Sequence, residues 1–350
     1  METAERKFIS ILLPCYNEEA ILAINIDTII KCLQNITDKY NYEILIINDG
    51  SKDKTAAIAD ELASQNTSIR VIHHPTNLNL GNALKTGFHN SKGEVIVVLD
   101  IDLSYSEQYI EAMVDKLYET GADIVMASPY MKGGKVTAVP FLRKIMSRWV
   151  NRFMSIASQD KYYTFTGMVR AYRTEFIKNV NLKTKDYEIN PEIIYKAMIL
   201  RAKIVEIPAH LDWTAQNKFA GKRTSSLRVI RGFFSGLMSG FIFRPYIFFI
   251  GIGAILMMLS LFELLWLLYD TLADLANPDY TLLAGAAPSL SHSMSLQFQK
   301  NPQSFLVGGL TFIIAIQFLS VGFLSLQSKR YFEELFHLGT SLKKQRNSSI

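Results

Sequence analysis

A chain of 350 residues with a net charge of +5, 49% hydrophobic residues and a slightly positive mean hydropathy is more apolar than an ordinary water-soluble protein. Its only cysteines, Cys15 and Cys32, lack metal or redox spacing, which excludes a disulfide framework and implies reduced thiols. The modest basic excess gathers beside the apolar segments, which suits anionic lipid headgroups rather than nucleic acid.

From the N-terminus, Phe8–Leu13 is a short apolar run closed by Pro14, as expected of a buried strand. Asn17 is placed to cap a following helix, with Glu18 and Glu19 in its first turn. Leu22, Ile26, Ile29, Ile30 and Leu33 give that helix one apolar face. A second strand, Tyr42–Ile47, ends at Asn48-Asp49-Gly50-Ser51. A helix over Thr55–Ser64, a strand over Ile69–Ile72 and a helix over Asn82–His89 lead to Glu94–Leu99, the most apolar strand. His73 and His74 close the third strand without a metal-ligand pattern and read as structural.

Strands alternating with helices predict an α/β fold with a mostly parallel sheet covered on both faces. Such sheets bind ligands beyond the carboxyl ends of their strands. Those ends carry Pro14-Cys-Tyr-Asn-Glu18, Asn48-Asp49-Gly50 and Asp100-Ile-Asp102. The turn after the first strand lacks G-x-G-x-x-G, and G-x-x-x-x-G-K-[ST] is absent, so neither usual phosphate cradle applies.

Asp100 and Asp102 alternate after an apolar strand, so both carboxylates can share a face. Two like charges that close need a positive neighbour. A hard divalent cation, Mg²⁺ or Mn²⁺, completed by substrate phosphates, meets that need. Further on, Arg143 and Ser147 stand four residues apart, where a guanidinium and a hydroxyl on one helix face can clamp a phosphate. Asn190-Pro191-Glu192 reads as a helix start and carries no catalytic assignment.

Two runs almost free of charge follow, Tyr246–Tyr269 and Phe305–Gln327. At ~1.5 Å per residue each can cross ~30 Å of hydrocarbon, and together they predict a C-terminal transmembrane hairpin. The chain then divides into a globular domain over 1–221, a juxtamembrane amphipathic segment over 222–245, helices over 246–269 and 305–327 joined by a 270–304 loop, and a 328–350 tail. Lys222, Arg223, Arg228, Arg231 and Arg244 precede the first run, and Lys329, Arg330, Lys343, Lys344 and Arg346 follow the second. The positive-inside rule therefore puts both ends and the large domain in the cytoplasm, with a bacterial plasma membrane favoured. Glu263 can snorkel from the first run, and Gly251 and Gly253 allow close helix packing, including packing in a homo-oligomer.

The string Ile11-Leu-Leu-Pro-Cys-Tyr-Asn-Glu-Glu19, then Ile47-Asn-Asp-Gly-Ser51 with Asp53 and Thr55, then Leu99-Asp-Ile-Asp-Leu-Ser104 resembles the family 2 glycosyltransferases of the GT-A fold. Within them it looks like the dolichol-phosphate mannose synthase and bacterial polyprenyl-phosphate glycosyltransferase branch, over roughly residues 8–230. The resemblance implies a nucleotide-sugar donor and a polyprenyl-phosphate acceptor. It implies that Pro14, Tyr16 and Glu18 line the nucleotide, that Asp49 reads the base, and that Asp100 faces the nucleotide. Asp100 and Asp102 correspond to the metal-binding pair, Ser104 to a third polar ligand, and Arg143 with Ser147 to an acceptor-phosphate pair.

Asp102, Arg143, Arg170 and Arg223 are then the catalytic candidates, the arginines supplying positive charge between two phosphorylated substrates. A polyprenyl phosphate is largely dianionic at neutral pH and is a ready nucleophile, so direct displacement with inversion is expected. Two departures stand out. Pro129 occupies a place where relatives carry Arg, and Thr164-Phe-Thr-Gly-Met-Val-Arg170 lacks the Asp of the family's D-x-T-S-G-F-R segment. They favour an alternative, a catalytically silent nucleotide-sugar-binding scaffold. A processive polysaccharide synthase is disfavoured, because the residue three before Arg148-Trp149 is Ile145 rather than the Gln of Q-x-x-R-W.

Overall fold

A computed structural model of the chain describes residues 6–157, 161–214, 241, 245–276 and 289–348, less the side chains of 156, 157 and 343–348. It divides into two compact units, one of residues 1–240 with 333–350 and one of residues 241–332.

In the first unit the elements run β1 (Lys7–Cys15), α1 (Leu22–Gln34), β2 (Tyr40–Asn48), α2 (Thr55–Gln65), β3 (Ile69–His73), α3 (Leu80–Asn90), β4 (Val95–Val98), α4 (Tyr109–Thr120) and β5 (Ile124–Ser128). Then follow β6 (Lys135–Thr137), α5 (Phe141–Ala157), β7 (Arg170–Arg173), α6 (Thr174–Asn179), α7 (Ile189–Ile199), β8 (Ile204–Pro208) and β9 (His210–Asp212). Seven strands form one sheet in the order β3-β2-β1-β4-β7-β5-β8, and β6 pairs with β9 apart from it. All pairings in the main sheet are parallel except those of β7, which runs antiparallel between β4 and β5.

The strands are apolar on both faces because both are covered. Ile9, Ile11 and Leu13 point to the side packed by Leu22, Ile26, Ile29 and Leu33 of α1 and by Ile110, Met113 and Leu117 of α4. Leu12, Leu45, Ile47, Ile96 and Val98 point to the other, against Leu84 and Phe88 of α3 and Ile189 and Ile193 of α7. Parallel register aligns Cys15 with Asn48 and Leu12 with Val98, so β1, β2 and β4 finish at one edge. That alignment brings three separate stretches of sequence together.

The expected cap at Asn17 is corrected. Asn17 is left-handed, at φ 57°, and α1 begins only at Leu22, beyond Ile21, which makes no side-chain cap. Asparagine tolerates this conformation better than most residues. Its Oδ1 accepts from Lys52 N–H at 2.8 Å, and its own N–H donates to Ser51 Oγ at 3.0 Å. Glu18 N–H donates to Thr55 Oγ1, and Glu19 Oε2 accepts from Lys54 N–H. The residues read as a helix start instead stitch the loop after β1 to the loop after β2.

The second unit contains α8 (Pro245–Ala276), α9 (Leu290–Lys300) and most of α10 (Pro302–Ser348). Two helices, Pro245–Ala276 and Pro302–Leu342, are long and apolar enough to cross a membrane, and little of either apolar stretch is covered. They pack antiparallel through small residues: Ser260 Oγ donates to the Gly308 carbonyl at 2.8 Å, and Gly253 lies against the backbone of Leu319. Gly251 faces open space. The helices exceed the expected spans of 246–269 and 305–327, since no proline or glycine stops α8 before Ala276 and Gln327–Leu338 are mostly good helix formers. Part of the expected 270–304 loop is α9, whose Gln297 and Lys300 bond Asp274. The juxtamembrane stretch 222–240, with Arg223, Arg228 and Arg231, lies outside the described residues.

Candidate active site

Asp100 follows β4 at the shared strand edge and is half-buried. Burial first, and then the charges of Asp102 and Glu18, push its carboxyl up to about 8. The tight turn Asp102-Leu103-Ser104 has Leu103 left-handed at φ 48°, with Ser104 N–H donating to Asp102 Oδ1 at 2.9 Å. Burial raises the Asp102 carboxyl too, opposed by Ser104 and by the positive charge of Arg143. Ser104 supports Asp102 through both its amide and its hydroxyl.

Among the described residues no cluster of three or more His, Cys, Asp or Glu side chains has metal-holding geometry. The carboxylate pair is nonetheless a donor set suited to a hard divalent cation: two half-buried carboxylates crowded by like charge, whose shell substrate phosphates would finish.

Across the sheet edge, Asp49 is buried at the end of β2. Its Oδ1 accepts from Leu78 N–H at 2.9 Å and from His74 Nδ1 at 2.7 Å. Nδ1 must be the donor, since a carboxylate only accepts, and His74 Nε2 then meets Thr86 Oγ1 at 2.9 Å. Gly50 turns the chain at φ 65°, where a Cβ would come within 2.2 Å of the Thr76 backbone. Pro14 is half-buried and the Tyr16 ring is exposed at the same edge, available to a flat ligand. His74 is thus structural in a particular sense, because it fixes the Asp49 carboxylate.

On the other side stands α5. Val150, Asn151 and Met154 anchor its inner face. Asn151 Oδ1 accepts the N–H groups of Phe165 at 2.7 Å and Thr166 at 3.2 Å, tying the helix to the loop before β7. Ser147 Oγ accepts from the Tyr130 hydroxyl at 2.8 Å, which leaves the serine proton available to another acceptor. The Arg143 guanidinium lies 4.1 Å from the Trp213 ring centre and acts on Asp102. Arg143, Ser147, Asp100 and Asp102 therefore border one site. Tyr187, which the motifs did not single out, brings its phenol within electrostatic reach of Asp100 and Arg143.

Arg170 is placed differently. On β7 it is 0% exposed, and its guanidinium donates to the carbonyls of Phe165 at 2.7 Å and Asn190 at 2.9 Å, with Nε unpartnered. The expectation that it faces a phosphate is corrected: β7 is sandwiched between β4 and β5, so its side chain braces two loops from behind. Glu206 of β8 accepts the N–H groups of Tyr163 and Thr164, each at 2.9 Å, and so holds the start of the Thr164–Arg170 segment. Pro129 follows β5 at a bend, and Ser128 Oγ meets Thr164 Oγ1 at 2.7 Å. Arg223 lies outside the described residues.

Comparison with known proteins accords with this architecture. Residues 10–180 match the family described as Glycosyl transferase family 2. The chain is 32% identical over 219 residues to a dolichol-phosphate mannosyltransferase of Pyrococcus furiosus, covering 61% of this chain and 60% of that one. It is 27% identical over 205 residues to a polyprenol monophosphomannose synthase of Mycolicibacterium smegmatis, covering 57% and 75%. It is 25% identical over 213 residues to the glycosyltransferase AglD of Haloferax volcanii, covering 60% and 34%. The match therefore spans less than two thirds of the length of two of these relatives. Among solved structures, glucosyl-3-phosphoglycerate synthase of Mycobacterium tuberculosis, crystallised with Mn²⁺, UDP and phosphoglyceric acid, aligns with a TM-score of 0.50 at 18% identity, covering 67% of this chain and 78% of that one. That likeness is one of fold.

Proposed function

We propose, from the match of residues 10–180 to the glycosyl transferase family 2 model, that this chain moves a single sugar from a nucleotide-sugar to the phosphate of a polyprenyl phosphate at the cytoplasmic face of a bacterial plasma membrane. The observation that carries the reading is the meeting of Asp102, beyond a buried parallel strand, with Arg143 on α5. An acidic, metal-suited edge for a diphosphate faces a cation and a hydroxyl suited to a second phosphate. The names of the Pyrococcus and Mycolicibacterium relatives make mannose the first sugar to test.

In this reading the base lies against Tyr16 and Pro14, with Asp49 reading its edge and Glu18 near the ribose. Asp100 and Asp102 would hold Mg²⁺ or Mn²⁺, which when bound neutralises the diphosphate and makes the nucleotide a better leaving group. Arg143 and Ser147 hold the acceptor phosphate, whose dianion needs no base to become a nucleophile. Its oxygen attacks the anomeric carbon from the side opposite the leaving nucleotide, so the configuration inverts. Arg143 offsets the repulsion between the two phosphorylated groups.

The lipid character of the acceptor is supported by the two apolar helices and by the outer arc of α5. Phe141 is 79% and Trp149 67% exposed there, beside exposed Leu142, Arg148 and Arg152. Aromatic and basic residues on one helical face suit a bilayer interface.

The test is transfer by the purified, reconstituted full chain, given polyprenyl phosphate, Mg²⁺ or Mn²⁺, and labelled GDP-mannose among a panel of UDP- and GDP-sugars. Label entering the lipid phase from one donor supports the reading. No label from any donor with folded protein moves the weight to the silent scaffold, which Pro129 and the missing Asp of the Thr164–Arg170 segment favour.

A further inference from the structure

Arg143 has a long side chain with many rotamers, and that freedom must be restrained before it binds a phosphate reproducibly. Its guanidinium lies over the indole of Trp213, at 4.1 Å from the guanidinium carbon to the ring centre. Such stacking uses the flat face of the guanidinium and leaves its N–H edge free for a bidentate anion.

Trp213 is itself held on a fixed support. Its N–H donates to the Thr137 carbonyl at 3.1 Å, continuing the β6–β9 ribbon in which Asp212 is in register with Thr137. One residue earlier, Asp212 N–H donates to the Ser104 carbonyl at 2.9 Å, and Leu211 is bridged to Tyr105. The strand that presents the indole is therefore bonded to the same turn that presents Asp102. Nothing in the family motifs points to this residue.

We propose that Trp213 is a positioning residue for the acceptor phosphate: it holds the Arg143 guanidinium in one plane and sets its distance from the Asp102 turn through β9. This rests on the acceptor role proposed for Arg143 above. In this role Trp213 contacts neither reacting atom and acts through the arginine.

The experiment uses the reconstituted full chain carrying Trp213→Leu, Trp213→Phe, Arg143→Met and the Trp213→Leu/Arg143→Met double variant, each checked for an unchanged Tm. Loss of a cation–π contact predicts a KM for polyprenyl phosphate raised about 3- to 10-fold in Trp213→Leu. The donor KM should stay within about twofold, and Trp213→Phe should recover most of the loss because a ring face remains. In the Arg143→Met background, Trp213→Leu should add almost nothing, as expected of two residues acting as one unit. Equal rises in donor and acceptor KM, no rescue by Phe, or full additivity with Arg143→Met would overturn the proposal.

A binding measurement separates this inference from the function it rests on. In a Trp149→Phe/Trp266→Phe background, Trp213 is the remaining tryptophan, and titration with citronellyl phosphate should change its fluorescence. That change should vanish in Arg143→Met. A saturable change without sugar transfer would sink the proposed activity and leave Trp213's role standing, whereas no change in a chain that does transfer sugar would sink Trp213's role alone.

Discussion

On the side proposed for the donor, the polar groups stand one to four residues beyond a buried parallel strand: Tyr16 and Glu18 after β1, Asp49 after β2, Asp100 and Asp102 after β4. On the side proposed for the acceptor, Arg143 and Ser147 stand on a helix whose outer face is exposed, and they are held by Trp213 and Tyr130, from two other stretches of chain. The donor edge is fixed by sheet register, which cannot slip without turning every buried side chain to the wrong face. The acceptor face is fixed by individual contacts, so it can be changed one residue at a time.

That contrast sets the order of expected effects. Asp102→Asn removes a negative ligand from the donor edge and should lower transfer by about 10²–10³-fold, on the scale of losing a main electrostatic group, while near-ultraviolet circular dichroism stays the same. Retained activity would mean the pair is not the metal site and would favour the scaffold. Leu12→Ala, in the centre of β1 and fully buried, should cost about 2–5 kcal/mol in urea denaturation. Phe141→Ser on the outer arc of α5 should change stability by less than about 0.5 kcal/mol. Similar costs for the two would break the comparison.

Stability should also respond to acid through the sheet rather than through the acceptor face. Burial works against ionised Glu43, but hydrogen bonds from Ser10, Lys92 N–H and Arg70 outweigh it and hold its carboxyl below the usual range. Glu192 is lowered in the same way, burial being outweighed by Lys196, Thr184 and Lys183. A carboxylate with a lowered folded pKa adds stability that is complete above its unfolded value, about 4.3, and that is lost as pH falls through the folded one. The urea midpoint should therefore fall as the pH drops below about 4, and Glu43→Gln should flatten that slope. The smallest effect on transfer is expected at His74, which orients Asp49 without being assigned a contact to the donor. His74→Ala should raise the donor KM by about 3- to 10-fold and leave the acceptor KM unchanged, as loss of a hydrogen bond to a charged group would.

The same contrast explains what could be read before any coordinates. Strand ends carrying Asp49, Asp100 and Asp102 were legible because period-2 burial and chain-order alternation imply a shared edge. The four-residue spacing of Arg143 and Ser147 was legible for the same local reason. Arg170 was not, because its sequence context cannot tell a cation aimed at a ligand from one buried behind the loop, and only the antiparallel insertion of β7 decides it. Asn17 satisfied the composition of a cap, yet a long-range bond to Lys52 competes with that local role. The pairings of His74 with Asp49 and of Trp213 with Arg143 join residues 25 and 70 positions apart, and arise from register and ribbon geometry that spacing does not encode.

The central claim is that donor and acceptor occupy separately built halves of one site. The most direct measurement varies polyprenyl phosphate and nucleotide-sugar in turn over wild-type chain and Arg143→Met, both reconstituted in membranes. A KM for polyprenyl phosphate raised by about 10- to 100-fold, with the donor KM unchanged, is the predicted result for loss of a charge-assisted phosphate contact. A donor KM that rises in step, or an acceptor KM that does not move, would contradict the division.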